Sequence, residues 1–249
     1  MKSPLSHLTS VFKEVNDTFF VIDKFSEMHL GSHSEKVGLY SKTLLELPHL
    51  DNIINNSELC SIPRHILCEA SYIAGFFHDL GKVYLPIWPL LSSQRFSEEE
   101  IIHHFGEHPR KSVEIATKIL NDFYLLENGL SEIWGAVSQS ILYHHERYCG
   151  VGGYYGLIED EIPFLSRVIA IADAFDAMTS SRVYRQNRLD GKSALDTIIN
   201  NEAGQFDPLL TDILKSEEVR QKLLKTLSFY NNLSSSYPEN HESSKITLN

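Results

Sequence analysis

Apolar residues return every three or four positions along nearly the whole chain, and this limits the possible folds more than any other feature. Val11, Val15, Phe19 and Ile22 share one helical face, and so do Val37, Tyr40, Leu44 and Leu45. The same period marks segments around 64–80, 108–126, 131–146 and 163–180 as helices. No run alternates with the two-residue period of a strand between hairpin signals, so the predicted class is all-α. Breaks fall at Pro48, at Pro63, along Tyr84 to Pro89, and in the glycine cluster Gly150 to Gly156. No repeat and no shift of composition divides the body. Residues 1–30 are expected to form a helix packed on the core, with no room for a separate sensor domain ahead of Gly31. From about Asn231 the chain turns polar, through Ser234, Ser235, Ser236 and Pro238, and a disordered tail is expected over 231–249.

Length and charge narrow the setting. A chain of 249 residues is long enough to bury one sizeable core. No apolar run approaches the roughly 18 to 20 residues that span a bilayer. Met1 to Leu8 lacks a secretory signal. Cys60, Cys68 and Cys149 are far apart, so reduced thiols in the cytoplasm are expected rather than a disulfide framework. The formal net charge of −11 disfavours nucleic acid polymers and acidic membranes, because phosphate backbones are held by many Lys and Arg contacts. A phosphate ligand would need a local pocket where a few cations or metals reverse the overall sign.

Against this helical background the histidines stand at particular places. His33 opens one helix, and Phe77-His78-Asp79-Leu80-Gly81-Lys82 closes another. His108-Pro109 begins a third, Tyr143-His144-His145-Glu146-Arg147 ends a fourth, and Asp173 lies inside the apolar run Ile169-Ala170-Ile171-Ala172 of a fifth. Five imidazoles and two carboxylates so placed can converge in a bundle core, where metal sites are commonly built. Any one histidine alone reads more simply as a packed or surface residue, and His103-His104 reads as an accidental doublet. The set resists that explanation, because an unpaired aspartate in an apolar run is costly to bury and a metal removes the cost. A hydrolytic metal pair needs nitrogen and oxygen ligands with open positions for water and substrate. His78-Asp79 can supply a ring to one metal and a carboxylate bridge to the second. Two metals about 3.5 to 4 Å apart then activate a bridging hydroxide and neutralise the phosphate it attacks.

Over about Gly31 to Pro208 the chain resembles the HD superfamily and, within it, the HD-GYP phosphodiesterases that degrade cyclic di-GMP. The likeness runs through His33-Ser34-Glu35-Lys36-Val37, His78-Asp79-Leu80-Gly81-Lys82, Phe96 to Glu100, His108-Pro109 and His144-His145-Glu146-Arg147. It continues through Arg167 to Ser180, Arg182-Val183-Tyr184-Arg185 and Gly204-Gln205-Phe206-Asp207-Pro208. The resemblance implies an HD-domain helical bundle with extra C-terminal helices and a catalytic domain over 31–230. It implies one metal held by His33, His78, Asp79 and Asp173, and a second sharing Asp79 with His108, His144 and His145. Iron or manganese is implied, with zinc also compatible with these ligand types, and a third metal would fall near His29. Lys82 would steady the phosphate and the hydroxide. Arg182 and Arg185, three apart, would meet the substrate phosphate or guanine, or else belong to a solvated basic turn.

The departures concern substrate recognition. After His-His-Glu the family reads approximately Asp-Gly-x-Gly-Tyr-Pro. Here Cys149 takes the Asp position, Gly150 and Gly152 keep the glycines, and Gly153-Tyr154 replaces Tyr-Pro. Lys36 stands where arginine is usual. Tyr154 or Tyr155 remains available as an aromatic face for a guanine. The leading expectation is hydrolysis of cyclic di-GMP or a related cyclic dinucleotide. The alternatives are an HD-type nucleotide phosphohydrolase, or a catalytically silent module that binds a dinucleotide or a signalling partner protein.

Overall fold

The computed structural model describes residues 30–85, 96–122, 131–180, 188–200 and 203–236, and over these the chain is all helical. The long elements are α1 (Leu30–Leu45), α2 (Asp51–Asn55), α3 (Arg64–Phe77), α4 (Glu98–Phe105), α5 (His108–Asp122) and α6 (Ser131–Leu142). They continue as α7 (Phe164–Thr179), α8 (Gly191–Asn200), α9 (Pro208–Ile213) and α10 (Glu217–Ser236). Among the described residues none is long and apolar enough to cross a membrane.

Two helices are apolar nearly all round and form the centre. On α3 the buried set includes Leu67, Ala70, Ile73, Ala74, Phe76 and Phe77, and on α7 Phe164, Leu165, Val168, Ile169, Ile171, Ala172 and Phe175. A helix hydrophobic all round must be covered on every side. Accordingly α1, α6 and α7 pack on α3, while α8 covers α7 and α10 lies against α1 and α8. Both central helices begin just after a proline, Pro63 and Pro163, whose fixed φ and missing N–H are harmless at a helix start. The face expected on α1 is the buried one: Val37, Tyr40 and Leu45 are fully covered and Leu44 nearly so.

The crossing of α1 over α3 is closer than ordinary side chains permit. A Cβ added to Gly75 would lie 2.9 Å from the Cα and N of Gly38, and one added to Gly38 would lie 2.9 Å from the Tyr72 carbonyl oxygen. Backbone therefore meets backbone here. His33 stands about one turn before Gly38, and His78 three residues after Gly75, so the contact brings these two rings to a centroid separation of 5.1 Å.

The C-terminal boundary differs from expectation. The sequence places a tail from about Asn231, whereas α10 continues to Ser236. Once a helix is nucleated on a packed face, as α10 is by Val219 and Leu223, each further polar residue needs only to add its own backbone hydrogen bond. The expected N-terminal helix, the apolar set Val11 to Ile22, His29, Arg182, Arg185 and residues 237–249 lie outside the described residues.

The glycine contact generates a prediction. Gly75→Ala should force α1 and α3 apart, lowering stability by about 1–3 kcal/mol as overpacked cores do. It should also weaken metal retention, because His33 and His78 separate. Thermal unfolding and elemental analysis of the variant check both effects.

Candidate metal centre

Three histidines of the cluster are each aimed by a local backbone acceptor. The Nδ1 of His78 lies 2.7 Å from the Gly75 carbonyl, that of His108 2.5 Å from the Phe105 carbonyl, and that of His144 2.6 Å from the Ile141 carbonyl. The three carbonyls belong to the last turns of α3, α4 and α6, where backbone acceptors have no partner within the helix. Each ring sits just past a helix end, takes an orphan carbonyl with its Nδ1–H, and presents Nε2 inward. His33 has no such carbonyl, since it lies in the first turns of α1. Its Nδ1 is held at 2.7 Å by Asp176 Oδ2 instead. A second-sphere partner of this kind fixes tautomer and orientation in metal-ligating histidines.

The inward atoms form two groups, His33 with His78 and Asp173, and Asp79 with His108, His144 and His145. Within each group the potential ligand atoms lie within 4.8 Å of one another. Ligands about 2.0–2.2 Å from a common ion lie about 3 to 4.4 Å apart, so each group is already close to the size that holds one ion. Asp79 joins the groups. Its Oδ2 is 3.4 Å from His33 Nε2 and 3.3 Å from His78 Nε2, whereas its Oδ1 is 3.1 Å from His108 Nε2 and 3.7 Å from His144 Nε2. All seven residues expected from the sequence are thus brought together.

The fit to cations rests on unmet valences. His33 Nε2, His78 Nε2, Asp79 Oδ1 and His144 Nε2 are all buried without a hydrogen-bond partner. Buried polar atoms are ordinarily satisfied, and four converging exceptions call for an ion. His145 Nε2 and His108 Nε2 approach to 3.2 Å, nitrogen facing nitrogen. Asp79 is fully buried with Lys82 beside its Oδ2, while Asp173 keeps 24% of its side chain exposed and forms the open rim. The cost of burial therefore falls on Asp79 rather than on Asp173.

Protonation follows the same division. Burial holds His78 below the ordinary histidine value, lowers His108 to about 4, and, with the charges of His144 and His108, sets His145 well below it. Burial would raise Asp79 and Asp173. The charges of His78 and Lys82 hold Asp79 well below the usual carboxylate range, and those of His33 and His78 lower Asp173. His33 is the exception. Burial lowers it, yet the hydrogen bond to Asp176, the nearby Asp79 carboxylate and the charges of Asp176 and Asp173 outweigh that and raise it to about 9. Asp176 would be raised by burial but is lowered to about 2 by His33 and Lys36.

Two residues of the site went unassigned in the sequence. Asp176 is buried and engaged by His33, by Lys36 at 3.1 Å and by Ser180 at 2.8 Å. Its signal was the spacing of three from Asp173, which puts both carboxylates on one helix face. Glu146 is buried beneath the glycine loop, accepting from the backbone N–H groups of Tyr154, Tyr155 and Leu157. That loop sets the Tyr154 ring 4.9 Å from the His145 ring and 6.1 Å from the His108 ring. Cys149 is an exposed free thiol outside both ligand groups. Arg182 and Arg185 lie outside the described residues, so their relation to the cluster rests on the sequence.

Comparison with known proteins agrees with this chemistry. The family described as HD domain matches residues 59–210. A cyclic di-GMP phosphodiesterase response regulator, RpfG of Xanthomonas campestris, is 34% identical over 143 residues, 57% of this chain and 34% of that protein. A cyclic di-GMP phosphodiesterase of Vibrio cholerae is 30% identical over 191 residues, 76% of this chain and 36% of that one. A 3′3′-cGAMP-specific phosphodiesterase of the same organism is 30% identical over 152 residues, 59% of this chain and 31% of that one. The chain spans about a third of the length of these relatives.

His33 makes metal uptake visible as proton release. A histidine must lose the proton that charges its ring to bind a metal, so a cation entering at pH 7.5 should expel about one proton per chain, chiefly from His33. In the metal-free protein His33 is raised above the ordinary 6.5. Its stabilising contribution is therefore complete below pH 6.5 and lost as pH rises through about 9. Calorimetric titration with Mn(II) in buffers of different ionisation enthalpy should show the proton. His33→Asn should abolish both the release and the alkaline loss of thermal stability.

Proposed function

The chain belongs to the HD domain family, and on that premise we propose that it is an HD-GYP-type phosphodiesterase which hydrolyses a cyclic dinucleotide at a two-metal centre. The observation that carries the reading is the division of Asp79, with one oxygen facing His33 and His78 and the other facing His108 and His144. HD domains bind divalent metals. A donor set of imidazoles and carboxylates without thiolate suits iron or manganese, and accommodates zinc. Two such ions would activate the attacking water and draw charge from the phosphodiester.

The chain's own residues would do the rest. His33, His78 and Asp173 would hold one ion, His108, His144 and His145 the other, and Asp79 both. Lys82, at the partly exposed edge beside Asp79, would meet a phosphate oxygen. Tyr154 closes the His108 and His145 side, and burial holds its hydroxyl protonated well above the usual tyrosine range. It can therefore offer a hydrogen bond or a ring face to the substrate. Arg182 and Arg185 would supply the cations that bring an anionic ligand to an acidic protein. Cyclic di-GMP is the favoured substrate, since the relatives cited first are named for it. A 3′3′-cGAMP preference is the second reading, favoured by the relative named for that activity. The catalytic unit would occupy about 31–230.

Asp79→Ala should remove both ions and all hydrolysis, whereas His78→Ala should weaken chiefly one ion. Elemental analysis after metal-replete anaerobic purification distinguishes them, and two ions retained in Asp79→Ala would contradict the bridge. Arg182→Ala and Arg185→Ala should each cost about 1.5 to 3 kcal/mol in kcat/KM, the worth of a charge-assisted hydrogen bond, with metal content unchanged. Unaltered kinetics in both would return them to a solvated basic turn.

A further inference from the structure

The glycine loop after His145 is tied down by one buried side chain. Glu146 Oε1 accepts from Tyr154 N at 2.7 Å and from Tyr155 N at 2.9 Å, and its Oε2 accepts from Leu157 N at 2.8 Å. The residue is 4% exposed. Gly153 is the point of closest approach, since a Cβ there would lie 2.7 Å from Oε2 and 2.9 Å from Oε1. A Tyr-Pro pair at 153–154 could not take this shape. Tyrosine would drive its Cβ into the carboxylate, and proline at 154 would lack the N–H that Oε1 receives. Gly153-Tyr154 and Glu146 therefore fit one another. Their joint product is the position of Tyr154, whose ring leans 51° to the His145 ring at 4.9 Å.

We propose that Glu146 is a positioning residue which, through the backbone of Gly153-Tyr154, seats the Tyr154 ring against the His108 and His145 side of the site and so sets substrate affinity. The proposal rests on the hydrolytic reading above for its substrate, but not for the geometry. Glu146 neither faces the ligand atoms nor belongs to either metal-binding group. Its loss should therefore leave metal content and kcat close to normal while raising KM. A residue that merely held the fold together would lower stability, metal content and kcat in step.

The test uses the full chain with 3-fluorotyrosine incorporated, the Tyr154 fluorine signal being identified by its absence in Tyr154→Phe. In the metal-free protein Glu146→Ala should move that signal to the position of an exposed tyrosine, and Gly153→Ala should do the same by displacing the carboxylate. Glu146→Gln should move it less, because its remaining oxygen can still receive the Tyr154 and Tyr155 N–H groups. In the Mn(II)-loaded protein Glu146→Ala should raise KM for cyclic di-GMP about tenfold, the scale expected when charge-assisted hydrogen bonds are lost. Tyr154→Ala should match it, and the double variant should be no worse than Tyr154→Ala alone, as residues acting through one another are not additive. An unmoved fluorine signal in both Glu146→Ala and Gly153→Ala, a KM within twofold of the natural protein, or multiplicative effects in the double variant would each overturn the proposal. If the natural protein cleaves no cyclic dinucleotide, the hydrolytic reading fails, and the fluorine signal alone decides whether Glu146 seats Tyr154.

Discussion

A single buried carboxylate facing two sets of imidazoles organises the centre of this protein. Asp79 offers one oxygen to His33 and His78 and the other to His108 and His144, and its charge is offset by these rings and by Lys82. Burying such a group is costly unless it is paired or coordinates a metal. The fold pays that cost at one point and exploits it there. Four helices end or begin within reach of the same carboxylate, so the chemistry sits where backbone carbonyls are free to aim histidine rings.

That arrangement makes the scaffold and the site hard to separate. The Gly38–Gly75 contact fixes the distance between α1 and α3 and, with it, His33 against His78. The turn after Asp79 is seated on α5 in the same way. Gly81 N donates to Ser112 Oγ at 2.7 Å, and a Cβ on Gly81 would lie 2.0 Å from the His108 carbonyl oxygen. His108 and Asp79 are thereby held in one frame. The orphaned nitrogens inside it are tolerable in a well-packed bundle because the surrounding core is extensive, and because cations would satisfy them.

Much of this was legible in the sequence, for a definite reason. Histidines at helix boundaries beside apolar runs can be located from periodicity and helix stop signals, Asp79 by its place beside His78, and Asp173 as a carboxylate in an apolar helix. Asp176 and Glu146 lie inside the matching segments, yet their partners, His33 across 143 residues of chain and the loop eight to eleven residues on, exist only after folding. The end of α10 at Ser236 is not legible in composition, which reports cohesion of a segment, not the helix it extends. In the sequence, the exchange of Tyr-Pro for Gly153-Tyr154 reads as a departure in substrate recognition that keeps an aromatic face. The structure instead gives it a partner in Glu146.

The central claim, a pair of cations bridged by Asp79, is tested most directly by anomalous diffraction from crystals of the metal-loaded protein, recorded on both sides of the manganese or iron absorption edge. The account predicts two anomalous peaks, one among His33, His78 and Asp173 and one among His108, His144 and His145, with Asp79 Oδ2 bound to the first and Oδ1 to the second. A single peak, or two peaks of which only one touches Asp79, would contradict it.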